Sequence, residues 1–283
     1  MFVFTAAVVG AGTRGGEIAQ TIAAADIPVV LKDVDESFVN QGLEKARSIW
    51  QARVDAGKLD PVQRDRQLAL ITGTTGYEAF GNVDFVIEAV PERMEIKQAV
   101  FSELDEVTPG HAILASNTSS LPISELAEAT GRPDRVVGFH SLYPASVMRV
   151  IEIIEGQDTS AETSQTAANF AAAIRKLPIR CGEAPGFVVN RILNAAVSEL
   201  WRYQAETGIA VAELDGAVTR IKTAPMGPFL LADLLGLDTV LHVAEHLHEA
   251  YGERFFVHPE MQALVAAGDL GAKTGKGFYE HSR

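Results

Sequence analysis

A glycine-rich loop near the start of the chain restricts the possible folds more than any other feature. Gly10, Gly12 and Gly15 form the pattern G-x-G-x-x-G directly after the apolar run Thr5–Val9, and a helical pattern begins near Thr13. In such a strand–turn–helix unit the first glycine permits the tight turn, the second lets the backbone approach a pyrophosphate, and the third lets the helix pack on the strand. The loop therefore predicts the first βα unit of a dinucleotide-binding sheet.

An acidic residue further along indicates which dinucleotide binds. Asp33 ends the second predicted strand, which begins at Pro28. A carboxylate there accepts hydrogen bonds from the ribose and repels a 2′-phosphate, which favours NAD over NADP. The basic neighbour Lys32 leaves open the alternative that the 2′-phosphate of NADP is accommodated. Arg14 either contacts a phosphate of the cofactor or is solvated. The loop residues expected to hold NAD are Gly10, Ala11, Gly12, Thr13, Arg14 and Gly15.

The remaining pattern indicates two domains. Apolar runs at 5–9, 28–31, 83–88, 112–116, 135–140 and 148–154 alternate with helical patterns at 13–25, 37–56 and 93–107. This alternation predicts right-handed crossovers and a mainly parallel sheet. Near residue 183 a Pro-Gly pair interrupts the chain, and mostly helical patterns follow to residue 268. We predict a Rossmann-type, doubly wound α/β domain over 1–183 and a helical domain over 184–283.

Charge and cysteine content exclude several classes of protein. The 283 residues contain 24 Lys and Arg against 37 Asp and Glu, a net charge of −13, so neither nucleic acid nor an anionic membrane is an expected partner. Cys181 is the only cysteine, so an internal disulfide is impossible and secretion is not expected. The first residues lack the basic segment of a signal peptide. We expect a cytoplasmic protein with no membrane span.

Polar residues follow a buried strand at Ser116-Asn117-Thr118-Ser119-Ser120, where open α/β sheets bind their ligands. At least one serine here is expected to contact a ligand; the alternative is that Ser120 or Ser124 caps the next helix. His140 ends the following predicted strand and therefore lies on the same rim.

A carboxylate inside an apolar run gives this histidine a partner. Glu152 lies within the run Met148–Ile154, where an unpaired carboxylate would be costly. His140 precedes it by one connection. A histidine held by a carboxylate is oriented, keeps one tautomer and gains basicity, so the pair is a candidate general base. Asn190 is a candidate substrate contact, with a helix-surface amide as the alternative.

Several longer motifs carry a family resemblance. They are V-V-G-A-G-T in the first loop, V-I-E-A-V-P-E at 86–92, A-S-N-T-S-S at 115–120, P-G-F-V-V-N-R at 185–191, P-M-G-P-F at 225–229, G-L-D-T at 236–239 and L-G-A-K-T-G-K-G-F-Y at 270–279. With them the chain resembles the L-3-hydroxyacyl-CoA dehydrogenase family over nearly its whole length. V-V-L-K-D and L-P-I-S-E-L-A are most similar to the dehydrogenase part of multifunctional fatty-acid oxidation proteins.

The resemblance implies an activity and a set of roles. His140, paired to Glu152, would be the general base on the 3-hydroxyl of an acyl-CoA. Ser119 and Asn190 would hydrogen-bond the reacting oxygen, or hold substrate and nicotinamide in line. Further cofactor contacts would come from Glu92, Lys97 and Lys273. Such proteins are usually homodimers through the C-terminal domain. The helix carrying Lys45, Arg47 and Arg53 would contact coenzyme A, or would simply present a solvated charged face.

Several positions depart from the family pattern. The family has H-F-x-N-P after the catalytic histidine, and this chain has His140-Ser141-Leu142-Tyr143-Pro144. Arg14 stands at a usual methionine, and Glu17 stands where glycine is common. These changes leave open the acyl-chain range, and also a non-CoA 3-hydroxy acid such as L-gulonate or carnitine.

Two other classes remain as alternatives. His242-Val243-Ala244-Glu245-His246 matches the H-x-x-E-H pattern of some metallohydrolases, with both histidines on one helical face. Its apolar neighbours suit ordinary helix packing, and we expect no metal site. A non-catalytic NAD-binding relative is the other alternative; the presence of Ser119, His140, Glu152 and Asn190 argues against it.

Overall fold

The computed structural model describes residues 2–281, and the chain divides into two compact units, Met1–Ala184 and Pro185–Arg283. The first unit contains a sheet with helices around it, and the second consists of helices followed by an irregular segment. This architecture confirms the predicted fold class, a doubly wound α/β sheet followed by a helical part.

The described part of the first unit contains one eight-stranded sheet. Its strands are Ala6–Val9 (β1), Val29–Lys32 (β2), Ile71–Thr74 (β3), Phe85–Glu88 (β4), Ile113–Ser116 (β5), Val136–Ser141 (β6), Val150–Glu155 (β7) and Leu177–Gly182 (β8). The spatial order is β3-β2-β1-β4-β5-β6-β7-β8. Neighbouring strands are parallel except for the antiparallel pair β6 and β7. The chain runs outward from β1 to β3 and then returns to β4 on the other side of β1. Open α/β sheets bind ligands at such a reversal.

Six helices of the first unit connect or flank these strands. They are Thr13–Ala23 (α1), Glu36–Asp55 (α2), Pro61–Leu68 (α3), Met94–Val107 (α4), Ile123–Ala127 (α5) and Ala161–Ala173 (α6). Local capping chemistry sets several starts: the Asp35 carboxylate accepts the N–H of Ser37 before α2 at 2.7 Å, and Ser160 caps α6. These two helices therefore begin where the sequence supplies an acceptor.

Apolar strands form the core of the first unit. Every residue of β1, β4, β5 and β6 is buried, as expected for strands covered on both faces. Phe85, Phe139 and Phe170 pack with ring centroids 4.6–5.7 Å apart. This packing fixes β4 and β6 relative to each other, and both strands end at the candidate site.

The structure differs from the sequence predictions in several elements. The strand β3 and the helices α3 and α6 were not predicted, and β8 lies outside the six predicted apolar runs. In β3 only Ile71 is buried, and Thr72 and Gly73 are exposed at the sheet edge, so the strand lacks an apolar run. The last apolar run begins its strand at Val150 rather than Met148. Lys176 Nζ donates to the carbonyl of Met148 at 2.8 Å, which holds that residue in the connection between β6 and β7.

The second unit is helical. Its helices are Val189–Thr207 (α7), Val211–Arg220 (α8), Pro228–Leu235 (α9), Leu237–Tyr251 (α10) and Pro259–Ala267 (α11). Trp201, Phe229 and Met261 are central to its core. The buried carboxylate of Asp233 accepts the backbone N–H groups of Phe278 (3.0 Å) and Tyr279 (2.9 Å), and so anchors the segment after α11. No helix within residues 2–281 is long and apolar enough to cross a membrane.

Candidate active site

The glycine loop between β1 and α1 has the geometry of a phosphate cradle. Gly10 has φ +101°, and a Cβ on it would lie 2.6 Å from the backbone of Ala89. A Cβ on Gly15 would lie 1.7 Å from the carbonyl oxygen of Gly10. A Cβ on Gly12 would meet nothing within 4 Å, and no side chain caps α1 there. Open space at an uncapped helix N-terminus fits the pyrophosphate of a dinucleotide.

Asp33 ties the end of β2 to this loop. Its Oδ2 accepts the N–H of Ala11 at 2.6 Å, and its Oδ1 accepts the N–H of Val34 at 2.7 Å. Each carboxylate oxygen retains a further lone pair for a ribose hydroxyl. The neighbouring Lys32 points elsewhere, with Nζ 4.3 Å from the ring centroid of Tyr77. The residues around the loop therefore fit NAD without a cation directed at a 2′-phosphate.

His140 and Glu152 face each other across the antiparallel strands. His140 in β6 is the register partner of Glu152 in β7. The distance from His140 Nδ1 to Glu152 Oε2 is 2.7 Å, and the residues are 3% and 0% exposed. Because the carboxylate accepts, Nδ1 carries the hydrogen, and in the neutral ring Nε2 is then the basic nitrogen. Burial of both groups is tolerated because each supplies the other's partner.

Polar residues after β5 are linked to both neighbouring loops. Ser119 donates its backbone N–H to Glu92 Oε1 at 2.9 Å, and its hydroxyl lies 3.3 Å from the same oxygen. The side-chain oxygen of Asn117 accepts the N–H of Ser141 at 2.8 Å. Ser141 directly follows His140, so this bond couples the serine segment to the histidine strand. Asn117 lies within the polar stretch predicted after β5, but it was not among the predicted site residues.

A buried charged cluster supports the serine segment. Lys97 Nζ lies 2.7 Å from Glu88 Oε1 and 3.2 Å from Glu92 Oε2. Burial raises the pKa of Glu88 despite Lys97. Burial also acts to raise the pKa of Glu92, but Lys97 and the hydrogen bonds from Thr118 and Ser119 hold it below its ordinary value. Glu88 was also missed, although it resembles Glu152 in being a carboxylate within an apolar run.

Two of the departures from the family pattern lie together. The guanidinium carbon of Arg14 is 6.0 Å from the ring centroid of Tyr143. Both line a crevice with Asn117 and Ser141. Arg14 occupies the first turn of α1, where the helix dipole disfavours a cation. Glu17 also departs from the pattern; it is buried and pairs with Lys45 at 3.1 Å, so the ammonium group of Lys45 binds a carboxylate of α1.

The remaining predicted contacts lie in the second unit and on α2. Asn190 is in the first turn of α7, and its carbonyl accepts the side-chain amide of Asn194 at 2.9 Å. Lys273 pairs with Asp238 at 2.5 Å. Both residues belong to the second unit. On α2, Arg47 pairs with Glu44 at 3.4 Å, and Arg53 is exposed.

The histidines of the H-x-x-E-H pattern lie on α10. His242 is exposed, and His246 is partly buried. The nearby His248 bonds through Nδ1 to the carbonyl of Phe255 at 2.8 Å. In the part of the chain that is described, no three His, Cys, Asp or Glu side chains gather as a metal site would require.

Comparison with known proteins is consistent along the whole chain. Residues 5–184 match the family model for the 3-hydroxyacyl-CoA dehydrogenase NAD binding domain, and residues 186–281 match that for the 3-hydroxyacyl-CoA dehydrogenase C-terminal domain. The 3-hydroxybutyryl-CoA dehydrogenase of Clostridioides difficile is 38% identical over 98% of this chain and 99% of its own length.

Solved structures agree with this similarity. The crystal structure of (S)-3-hydroxybutyryl-CoA dehydrogenase from Ralstonia eutropha is 36% identical, with a TM-score of 0.94 over 99% of this chain and 100% of the other. FadB2 of M. tuberculosis is also 36% identical, with a TM-score of 0.95 and full coverage of both chains.

Proposed function

The chain belongs to the 3-hydroxyacyl-CoA dehydrogenase family and is an NAD-dependent oxidoreductase, and on that basis we propose that it interconverts (S)-3-hydroxyacyl-CoA and 3-oxoacyl-CoA. The similar proteins named for 3-hydroxybutyryl-CoA support a short acyl chain. NAD, when bound, accepts the hydride from carbon 3 of the substrate. The protein's own residues bind the cofactor, orient the substrate and deprotonate its 3-hydroxyl.

We propose that His140 is the general base. The observation that carries this role is its buried 2.7 Å contact with Glu152 at the carboxyl end of β6. The carboxylate holds the ring orientation and stabilises the imidazolium that forms when Nε2 takes the hydroxyl proton. In the reverse reaction the same nitrogen returns the proton to the oxygen of the 3-oxo group.

We propose that the glycine loop and Asp33 bind the pyrophosphate and the adenosine ribose of NAD. The open space over Gly12 and the spare lone pairs of Asp33 support this assignment. Ser119 is proposed to hold the reacting oxygen, and Asn190 is proposed as a substrate contact. The bond from Asn117 to Ser141 supports the role of Ser119, because it links the serine segment to the strand of the base.

We also propose a cytoplasmic homodimer formed through the helical unit. Apolar side chains are exposed on this unit at Ile192 (65%), Leu234 (50%) and Leu235 (46%), and burying them would favour association. The lone cysteine, Cys181, provides no disulfide for an oxidising compartment. Sedimentation analysis tests the dimer, and a monomer at micromolar concentration would contradict it.

The decisive experiment is NADH-linked reduction of acetoacetyl-CoA. We expect turnover by the native protein and a loss of kcat of about 10²- to 10⁴-fold in His140→Gln, as expected for removal of a general base. His111→Gln is the matched control, because His111 also pairs with a carboxylate, Asp84, at 3.2 Å but lies before β5. Unchanged activity of His140→Gln would exclude the base assignment.

A substrate panel accompanies this assay. It contains 3-oxoacyl-CoA thioesters of several lengths in the direction of reduction, and L-gulonate and carnitine in the direction of oxidation, each with the NAD and NADP forms of the cofactor. Turnover of L-gulonate or carnitine without any thioester activity would overturn the acyl-CoA assignment and retain an NAD-dependent dehydrogenase.

A further inference from the structure

A crevice of the first unit joins the glycine-loop helix to the strand of the proposed base. One wall is α1, which contributes Arg14, and the other is the end of β6 and the residues after it, which contribute Ser141 and Tyr143. Asn117, from the segment after β5, lines the same crevice. Asp33 follows β2, which lies on the opposite side of β1. The crevice is therefore separated from the proposed ribose site by the point where the strand order reverses.

The proposed chemistry requires the nicotinamide ring on the side of this crevice. The pyrophosphate is assigned to the open space over Gly12, and the proposed proton acceptor is His140 in β6. Hydride and proton leave bonded atoms of the substrate, carbon 3 and its oxygen, so the hydride acceptor must lie close to the proton acceptor. The half of NAD beyond the pyrophosphate therefore extends from α1 toward the end of β6, which is the course of the crevice.

Two donors that line the crevice have no acceptor among residues 2–281. The oxygen of the Asn117 amide accepts the N–H of Ser141 at 2.8 Å, so the amide nitrogen keeps two N–H donors on a side chain that is 6% exposed. Arg14 forms no ion pair in this part of the chain, and Glu17, the carboxylate of its own helix, pairs with Lys45 at 3.1 Å. A ligand with a carbonyl acceptor, such as the carboxamide of nicotinamide, would satisfy the amide nitrogen.

Arg14 places a positive charge where the helix disfavours one. It lies in the first turn of α1, at the positive end of the helix dipole. Its guanidinium carbon is 6.0 Å from the ring centroid of Tyr143, and attraction to the aromatic face holds the cation beside the crevice. The ring of Tyr143 is 46% exposed, so aromatic surface is available to a planar ligand.

The oxidised and reduced forms of the cofactor differ in charge at the nicotinamide ring. The oxidised ring carries one positive charge, which it loses when it accepts a hydride, whereas the phosphates and riboses are the same in both forms. A cation fixed beside the ring repels only the oxidised form, and a cation bound to the pyrophosphate attracts both forms equally. The ratio of the two dissociation constants therefore reports which part of the cofactor lies next to Arg14.

We propose that the crevice receives the nicotinamide end of the cofactor, and that Arg14, held over Tyr143, makes the protein bind NADH more tightly than NAD⁺. This role of Arg14 rests on the proposed function, because the sites assigned to the pyrophosphate and the base define the course of the cofactor. At equal concentrations of the two forms the protein is then loaded mainly with NADH, the form that reduces a 3-oxoacyl substrate.

The test measures the dissociation constants of NAD⁺ and NADH by calorimetric titration for the native protein, Arg14→Met and Arg14→Lys. We expect Arg14→Met to lower the ratio of the NAD⁺ constant to the NADH constant by about three- to tenfold, or about 0.65 to 1.4 kcal/mol. Arg14→Lys keeps the charge and should keep the ratio within about twofold of the native value. Because Arg14 is exposed, salt should screen the effect, and the native and Arg14→Met ratios should converge as ionic strength rises.

Arg66→Met is the matched control. Arg66 is 75% exposed in α3, which precedes the edge strand β3 on the far side of β1 from the crevice. Its pair with Asp26, at 3.8 Å, is exposed and contributes little to stability. The variant removes the same charge from the protein as Arg14→Met, and we expect native dissociation constants for both forms of the cofactor. Thermal melts of both methionine variants should be close to native.

Two results would overturn this role of Arg14. An equal rise of both dissociation constants in Arg14→Met would place the guanidinium on the pyrophosphate, and unchanged constants would show that it is solvated. These titrations contain no acyl substrate, so their outcome does not depend on the acetoacetyl-CoA assay. A lowered ratio in Arg14→Met, together with a native protein that fails to reduce acetoacetyl-CoA, would reject the proposed substrate and retain the role of Arg14.

Discussion

At the scale of single residues, paired burial accounts for the chemistry of this site. His140 and Glu152 are 3% and 0% exposed, and their contact is 2.7 Å. An ionised group at such depth is costly unless a partner compensates it. Glu88 and Lys97 obey the same rule at 2.7 Å. The His140–Glu152 pair is proposed to accept the hydroxyl proton, and the Glu88–Lys97 pair lies beneath the polar segment after β5.

Replacing Glu152 by glutamine tests the orientation of the base. The amide keeps the side-chain shape but removes the carboxylate that fixes the tautomer and stabilises the imidazolium. We expect kcat to fall by about 10- to 100-fold, the range seen for carboxylates that orient metal-bound histidines. NADH-linked assay and NADH titration measure both properties. A weaker loss than in His140→Gln is expected, and an equal affinity for NADH is the control. Full activity would contradict the pairing role.

Tyr143 and Arg14 are expected to set substrate range together. The guanidinium carbon of Arg14 lies 6.0 Å from the ring centroid of Tyr143, and both side chains line one crevice. We expect Tyr143→Asn and Arg14→Met each to change the ratio of kcat/KM between acetoacetyl-CoA and longer 3-oxoacyl-CoAs. Because the guanidinium lies over the ring in one crevice, the double variant should show a coupling energy of about 0.5 kcal/mol or more. An unchanged ratio in both single variants would show that the crevice does not contact substrate.

At the scale of elements, the βα unit at the start of the chain forms the proposed pyrophosphate site from backbone groups of its strand, loop and helix together. The strand β1 ends at Val9, the loop turns through Gly10, and α1 begins at Thr13 without a capping side chain. This geometry presents backbone N–H groups toward the point where the strand order reverses. Each glycine serves a different part of it.

Gly12→Ala and Gly15→Ala should therefore fail in different ways. Gly12 has φ −60°, and an added Cβ meets nothing within 4 Å. We expect its alanine variant to keep the native melting temperature but to raise the NADH dissociation constant by about tenfold or more, or about 1.4 kcal/mol. An added Cβ on Gly15 would lie 1.7 Å from the Gly10 carbonyl oxygen, so that variant should lose stability. Thermal melts and NADH titration separate the two, and tight NADH binding by Gly12→Ala would contradict the pyrophosphate assignment.

At the scale of the whole molecule, stability also depends on a buried histidine in the core of the helical unit. His258 is 2% exposed, donates from Nε2 to Gln204 at 2.8 Å and packs at right angles to Phe229 and Phe278. Burial lowers its pKa from 6.5 to about 4. Such a histidine stabilises the fold only while it is neutral.

The sign of the resulting pH dependence follows from this shift. In the unfolded chain His258 takes up a proton near pH 6.5, whereas in the folded protein it does so only near pH 4. Its contribution is therefore complete above pH 6.5 and is lost as pH falls from 6.5 toward 4. We expect the melting temperature to fall less steeply in His258→Gln than in the native protein over that range. His242→Gln, on the exposed face of α10, should keep the native slope, and identical slopes in all three proteins would contradict the assignment.

Local sequence determined the parts of this protein that depend on near neighbours. A doubly wound sheet was predicted from the glycine pattern and from the apolar runs of β1, β4, β5 and β6. Strands that are buried on both faces consist of continuous apolar residues, which the sequence shows directly. The edge strand β3 was missed because only Ile71 is buried in it, so the strand contains no continuous apolar run. The free-energy cost of burying an unpaired carboxylate predicted that Glu152 has a partner.

Only the tertiary structure decided how the groups of the site meet. The sequence predicted that Glu152 pairs with His140, and the antiparallel register that places the two opposite each other is specified by no local pattern. The bond from Asn117 to Ser141 and the ion pairs of Lys97 with Glu88 and Glu92 join residues from separate elements. Sequence shows what a side chain can donate or accept and what its burial would cost. Its actual partner depends on long-range packing, because the contact is made across strands and helices that are distant along the chain.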